Sequence, residues 1–246
     1  MNRYVNADLH RIITKRRYLL MVLLEFVIAA AAAVIVSLGG ADSYTESIST
    51  YINYLPLIFG LPLFVSIFSM DVRARTFETA VVRGVRRGSI VIGKFVEVLL
   101  LALINFAIVG AILYAVPAVM TTGIGGSGLK AIIFLELGAF LETICFAAIS
   151  MIPMLGGLSP EIGSILYVLL STEALNLLIT KLLSLSILPA AASGVSLGLL
   201  TNLVTSFTGT LMNDGTVEPV RLVLILVIYI VLPLLITVAA FRKKKI

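Results

Sequence analysis

Long apolar runs separated by short polar segments cover most of the chain. A helix needs about twenty apolar residues to cross ~30 Å of hydrocarbon. Six runs approach that length, and they predict six transmembrane helices at about 18–38, 54–70, 95–119, 131–155, 160–185 and 220–241. The second run is the shortest and contains Pro56 and Pro62, so its boundaries are the least defined. The fifth begins with a typical helix start, Ser159, Pro160 and Glu161.

Composition supports a membrane protein. Of 246 residues, 60% are hydrophobic and only 13% are charged, against about 25% charged in soluble domains. Too few polar residues remain to cover a water-facing surface, so we expect an all-α polytopic membrane protein whose single transmembrane domain is 1–246. With one cysteine and one histidine, Cys145 and His10, the chain cannot form an intramolecular disulfide or a cysteine- or histidine-based metal site. We predict no catalytic residue, no metal and no nucleic-acid partner.

Basic residues are concentrated in segments that six crossings would place on one side of the membrane. Fifteen of the eighteen lysines and arginines lie in three segments, 1–17, 71–94 and 242–245. One cation, Lys130, lies in the predicted loops of the opposite side, at 39–53, 120–130 and 186–219. By the positive-inside rule the basic side is cytoplasmic. We therefore expect a multi-pass protein of the plasma membrane with both termini in the cytoplasm.

The residues before the first span predict a short amphipathic helix at 1–17, lying in the membrane interface. Its apolar residues recur at helical spacing: Tyr4, Val5, Leu9, Ile12 and Ile13. The alternative is a basic flank that only orients the first span. The first apolar run is longer than the 7 to 15 or so residues of a signal-peptide core, so we expect it to be retained as a span.

The basic connection 71–94 is longer than a turn requires, since connections in helix bundles usually run about 2 to 8 residues. Phe77, Val81 and Val85 form one apolar stripe on a predicted helix, and Gly84 and Gly88 interrupt it. This pattern favours a docking surface for another protein. The alternative is an anchor for anionic lipids, to which clustered arginines are attracted.

The same connection resembles a known family, the permease subunits of ATP-binding cassette (ABC) exporters of the type-2 class. The resemblance rests on an acidic residue closing the second span and on Thr76, Glu78, Gly84, Arg87, Ile90 and Lys94. It is similar to the family's coupling helix, followed by Arg-x-x-Ile-x-x-x-Lys. Where the family usually has a glycine before the threonine, this chain has Arg75. The span count, the N-terminal helix and the long outer segment at 186–219, which would form a re-entrant hairpin, extend the resemblance.

The resemblance implies a half-transporter with a coupling segment at 71–94. Two permease chains, identical or homologous, would pair, and two copies of a separate ATPase subunit would bind ATP and Mg²⁺. The chain itself contains no G-x-x-x-x-G-K-[ST] loop and would bind no cofactor. The residues implied in ATPase docking are Arg73, Arg75, Phe77, Glu78, Val81, Arg83, Val85, Arg86 and Arg87. By analogy with the family, the exported substrate would be hydrophobic or amphipathic: an antimicrobial peptide, a drug or a lipid.

Charged residues inside predicted spans are functional candidates, because burying them in the bilayer is costly. Glu97 lies three residues after Lys94 near the cytoplasmic boundary, so we predict a structural role for it. Glu142 lies deeper, and Glu173, Asn176 and Thr180 form one polar stripe on the fifth span. Glu142 and this stripe would line the substrate path or the subunit seam. The alternative is interhelical hydrogen bonding that only holds the bundle together.

Two alternatives to an ABC permease are open on the sequence alone. An autonomous secondary transporter or channel would use Glu142 and Glu173 as proton or ion sites and would need no ATPase. A membrane scaffold would use the polar stripe only for assembly. In place of a re-entrant hairpin, residues 186–219 could form an ordinary pair of surface helices, although Ala190, Gly194 and Gly198 have a spacing that permits close helix packing.

Overall fold

A computed structural model describes residues 2–39, 41–73, 76–120, 126–156, 159–172, 174, 177, 181, 200–212 and 219–243. Every regular element in these ranges is helical, which confirms the predicted all-α class. In chain order they are α1 (Asn2–Ile13), α2 (Arg16–Ser37), α3 (Ala41–Asn53), a π-helical turn (Pro56–Gly60), α4 (Leu61–Arg73), α5 (Thr76–Val82), α6 (Arg87–Val119), α7 (Gly126–Leu155), α8 (Pro160–Ser171), α9 (Leu200–Met212), α10 (Pro219–Leu226), a second π-helical turn (Val227–Val231) and α11 (Leu232–Lys243).

Five helical segments of the described chain are long and apolar enough to cross a membrane. They are Tyr18–Ser37, Tyr44–Phe68, Arg87–Val119, Gly128–Leu155 and Val223–Lys243. The predicted fifth span, 160–185, begins at Pro160 as expected, but α8 ends at Ser171 and most of the remaining span lies outside the described residues. The described part of the chain is therefore all-helical with five candidate spans, and the sixth stays a prediction.

The second span differs from the prediction, because α3 occupies residues predicted as a loop at 39–53. One face of α3 is fully buried through Tyr44, Ile48 and Ile52, and polar residues cover its other faces. This amphipathic pattern lowers the average hydropathy below that of a helix that is apolar all round, and it hid the helix in the sequence. The π-helical turn begins at Pro56, whose backbone nitrogen has no hydrogen and so cannot donate a hydrogen bond. The Tyr167 hydroxyl donates to the Pro56 carbonyl at 3.1 Å.

The third span also begins earlier than predicted. Helix α6 starts at Arg87 rather than Phe95, after Arg86 in an extended conformation. Of the predicted coupling segment 71–94, only Thr76–Val82 forms a separate helix, α5. The segment is therefore the end of α4, a two-turn helix and the first two turns of α6.

Helix α7 is the centre of the bundle, in contact with α3, α6, α8, α9 and α11. Small side chains permit these close contacts: Ala147 and Ala148 are fully buried on α7, and Gly138 faces Val204 and Thr208 of α9. Helix α9 belongs to the predicted hairpin 186–219, of which residues 186–199 and 213–218, including Ala190, Gly194 and Gly198, lie outside the described residues.

A substitution at Gly60 tests how α8 packs against the second span. A Cβ atom at Gly60 would lie 2.0 Å from the hydroxyl oxygen of the fully buried Tyr167 and 2.9 Å from Thr143 Cγ2. We expect Gly60→Ala to displace Tyr167 and to lower the free energy of unfolding by about 1–3 kcal/mol, as overpacking does. The matched control is Gly209→Ala, where a Cβ meets nothing within 4 Å. Equal unfolding midpoints of the two variants in detergent would contradict this packing.

Candidate functional site

A cluster of five charged side chains joins three helices at one end of the bundle. The cluster consists of Asp8 and Arg11 on α1, Asp71 near the end of α4, and Lys94 and Glu97 on α6. Its centre is the Lys94 ammonium, which has no exposed surface. Lys94 Nζ lies 2.5 Å from Asp71 Oδ2 and 2.8 Å from Glu97 Oε2, and it also pairs with Asp8. We call these five residues the charge cluster.

Helical geometry brings the members of the charge cluster together. Asp8 and Arg11, like Lys94 and Glu97, are three residues apart and so share a helix face. Ile12, almost fully buried, holds α1 against the bundle beside its charged pair. Arg11 Nη2 donates to Asp71 Oδ1 at 2.5 Å and also pairs with Asp8. One end of the second span is thereby connected to both α1 and α6.

The two cations of the cluster stabilise the ionised form of Asp71. Burial by itself would raise the pKa of the Asp71 carboxyl, but the Lys94 ammonium and the Arg11 guanidinium outweigh burial, so the pKa of Asp71 lies below its ordinary value. Burial likewise opposes the charge of Arg11, but Asp71 and Asp8 outweigh it and raise the pKa of the guanidinium. The cluster therefore holds ionised groups rather than neutral ones at its α1–α4 side.

The elbow, defined here as residues 76–87, connects the second and third spans. Helix α5 ends in a Schellman motif: Gly84 has φ +88°, its N–H donates to the Val81 carbonyl, and the Val85 N–H donates to the Ala80 carbonyl. Phe77 is buried, with its ring 6.4 Å from that of Phe241. The predicted apolar stripe of α5 therefore faces the protein's own bundle.

Arg87 ties the far end of the elbow to the last helix. Its Nη1 donates to the backbone carbonyls of Phe241 at 3.0 Å and Arg242 at 2.7 Å, where α11 ends. A cation at this position also complements the negative end of the helix dipole. At the other end of the elbow, Thr76 Oγ1 donates to the Asp71 carbonyl at 3.1 Å. Both ends of the elbow are thus fixed to the bundle.

The residues that carry the family resemblance make contacts within the chain. Lys94 pairs with Asp71, the acid that closes the second span. Arg87 binds the end of α11, and Ile90 is fully buried. Gly84 supplies the left-handed conformation that ends α5. These residues position the elbow, so a partner would contact other residues of the same segment.

The exposed tip of the elbow consists of Val82, Arg83, Gly84 and Arg86. Val82 is 80% exposed although it is apolar, and sequence analysis did not select it. Of the predicted docking residues, Arg83 and Arg86 are exposed, Glu78, Val81, Val85 and Arg87 are half-buried, and Phe77 is buried. Arg75 and the side chain of Arg73 lie outside the described residues. The structure thus brings two of the predicted arginines together with Val82 at one surface.

A cavity of about 330 Å³ separates α1 from the elbow. Its lining includes Asp8 and Arg11 of the charge cluster, together with Thr76, Thr79 and Arg83 of the elbow. The charge cluster and the exposed tip therefore lie on either side of this cavity. A change in the position of α5 would therefore alter the surroundings of Asp8 and Arg11.

The intramembrane candidates are placed in part. Glu142 is half-buried and lines a cavity of about 130 Å³ together with Asn53 on α3 and Thr201, Thr205 and Thr208 on α9. Its lining is mixed, because Leu135, Ala139 and Val204 lie beside these polar side chains. Glu173, Asn176 and Thr180 lie outside the described residues, so their predicted stripe stays a prediction.

Sequence reasoning found part of the charge cluster. Glu97 forms an ion pair with Lys94, as their spacing of three residues indicated, and its structural role stays a prediction. The contributions of Asp8 and Arg11 were missed, because the pattern of residues along α1 does not show which other helix it contacts. One signal was available: Asp8 is the only acidic residue among the first 24, and it lies three residues before Arg11.

Removing the central ammonium tests the charge cluster. Lys94→Met would leave three buried carboxylates facing Arg11 alone, and we expect it to lower the free energy of unfolding by about 3–5 kcal/mol. Thermal unfolding in detergent measures the change. The control is Lys243→Met, at an exposed position near the end of α11. If Lys94→Met is as stable as this control, the cluster contributes nothing to stability.

Acid should weaken the cluster through Asp71. Because the pKa of Asp71 is lowered on folding, its ionised form stabilises the native state above the unfolded-state pKa of about 3.9, and this stabilisation is lost as pH falls through the lower native value. We expect the unfolding midpoint to fall steeply below about pH 4 in the wild type. The unfolding midpoint of Asp71→Asn should be lower than that of the wild type at neutral pH and should fall less in acid. The midpoint of Glu46→Gln, at an exposed position, should follow the wild-type curve.

Comparison of the sequence with protein-family models and with curated proteins found no match. The family resemblance therefore stays a prediction, and a function for the chain has to be argued from its own residues.

Proposed function

We propose that the chain is the membrane-spanning permease subunit of an ABC exporter. It would move a hydrophobic or amphipathic substrate with energy from ATP hydrolysed by a separate ATPase subunit. The observation that carries this proposal is the elbow: a short helix outside the spans, fixed at both ends and exposed at its tip. A docking surface that transmits force needs these properties.

The attachments of the elbow support a rigid mechanical connection. The Asp71 carbonyl holds its beginning, and Arg87 holds its end against the last two residues before Lys243. Phe77 packs between these two points against Phe241. A displacement of α5 would consequently move the ends of α4, α6 and α11 together instead of bending the elbow alone.

The chemistry of the tip supports a protein partner. An apolar residue with 80% of its surface exposed, Val82, lies beside Arg83 and Arg86. An apolar pocket with an acidic rim would complement this surface, and exposed apolar groups rimmed by polar residues are typical of interaction sites. An anionic membrane would satisfy the arginines as well, and the test below separates the two partners. In the proposed assembly two ATPase subunits, with ATP and Mg²⁺, serve two permease chains.

A second candidate function rests on the cavity at Glu142. A carboxylate and three threonines line this small cavity at membrane depth, as an ion or proton site of an autonomous transporter would require. Such a protein would transport in proteoliposomes with no nucleotide present. Glu142→Gln would abolish that transport, whereas substitutions at the elbow tip would leave it unchanged.

The double variant Arg83→Glu/Arg86→Glu tests the proposed docking surface. We expect the wild-type protein, isolated from its native membranes in mild detergent, to carry a second chain with vanadate-sensitive ATPase activity. Because the reversed charges would repel an acidic rim, the double variant should lose both the second chain and the activity. Mass spectrometry of the copurified chain should find a nucleotide-binding G-x-x-x-x-G-K-[ST] loop.

The matched control is Arg16→Glu/Lys243→Glu, which makes the same change in charge at exposed positions near the membrane ends of α2 and α11. If the double variant and this control retain equal ATPase activity, the tip is not the docking surface. If the double variant keeps the second chain and loses only the anionic lipid that copurifies with the control, the arginines serve lipid binding. Arg87 is left intact in both variants, because its contacts with α11 are structural.

A further inference from the structure

Glu25 lies inside the first span and faces the protein rather than lipid. The buried face of α2 runs through Tyr18, Glu25, Ala29 and Ala33, whereas Leu23 and Leu24, its neighbours in sequence, are 60% exposed. Glu25 itself is only 3% exposed. It lies seven residues into the apolar segment that begins at Tyr18, roughly 10 Å along the helix. Neither lipid nor a second chain can reach its carboxylate.

Within the described residues, the surroundings of Glu25 contain polar groups but no counter-charge. Tyr18 on α2 and Tyr51 on α3 lie within electrostatic range of the carboxylate, and Asn105 on α6 lies next to Tyr18. These are the described polar groups near it on α2, α3 and α6. Within the described chain, neither Glu25 oxygen has a hydrogen-bond partner, and the Tyr51 hydroxyl and Asn105 Nδ2 also have none. No described cation acts on Glu25.

A buried carboxylate without a partner is costly, because the interior cannot replace the water that it loses. It therefore needs a bound cation. A metal ion or an ammonium group requires space, and none of the cavities described above is lined by Glu25. A proton requires no additional space, and it converts the carboxylate into a neutral acid. A neutral acid can be buried beside Tyr51 and Asn105 without leaving an uncompensated charge.

We propose that Glu25 is an intramembrane proton-binding site, occupied while α2 packs against α3 and α6 and emptied when these helices separate. On separation the carboxyl O–H bond breaks, the electron pair stays on the carboxylate, and the proton passes to water entering the gap. On closure the carboxylate takes a proton back from water. Each opening of this helix contact would thus release one proton. The inference does not depend on whether an ATPase binds the elbow.

Infrared spectroscopy tests the occupied state in the full-length protein, because a protonated carboxyl has a carbonyl band that an ionised one lacks. We expect the wild type to have this band at neutral pH. Glu25→Gln should lose intensity in the band, whereas Glu46→Gln, at an exposed position, should retain it. Glu25→Asp, which keeps a carboxyl group, should shift the band instead of removing it. No intensity lost in Glu25→Gln and no shift in Glu25→Asp would overturn the proposal.

A pair of alanine variants tests the link to helix packing. Ala29 is fully buried one turn after Glu25, and Ala31 is exposed on the same helix. Ala29→Leu should push α2 away from its neighbours, admit water, and so remove the infrared band of Glu25. Ala31→Leu should retain it. If Ala29→Leu keeps the wild-type band, protonation is not coupled to this contact. The wild-type spectrum supplies the first readout, because the absence of a protonated-acid band at neutral pH would overturn the proposal even where a variant fails to fold.

Discussion

The buried ammonium of Lys94 is the interaction on which one whole end of the molecule depends. A fully buried cation is tolerated only where ion pairs replace its hydration. Here three carboxylates do so, and they come from α1, α4 and α6. Because each of these helices supplies a charge to the cluster, moving one of them alone would break ion pairs with the others, and moving α4 would separate Asp71 from both of the cations that it pairs with.

The same constraint determines the position of a short surface helix, the elbow. The elbow is only two turns of helix and a loop, too short to be stable by itself. Its position is determined by the Asp71 carbonyl at one end and by Arg87 on the carbonyls of α11 at the other. The candidate spans are therefore connected, through hydrogen bonds and ion pairs, to an exposed tip. A partner bound to that tip would act on three spans at once.

Glu97 and Glu25, on the neighbouring helices α6 and α2, are buried in different surroundings. Glu97 pairs with Lys94 at 2.8 Å and so belongs to the charge cluster. Glu25, about as well buried, has tyrosines and an asparagine near it but no described cation. The first group contributes to an ionic contact between helices. In our proposal the second binds a proton, because no described group near it compensates its charge.

The sequence by itself determined the class of the protein: runs of apolar residues and the concentration of basic residues at a few positions suffice, since the bilayer selects for length and hydropathy. It also indicated the Lys94–Glu97 pair, which is local to one helix. Helix α3 was not predicted from the sequence, because it is apolar on one face only, at Tyr44, Ile48 and Ile52. The joining of Asp8, Arg11 and Asp71 to Lys94, and the isolation of Glu25, were decided only by tertiary structure, because they depend on how helices distant in sequence pack against one another.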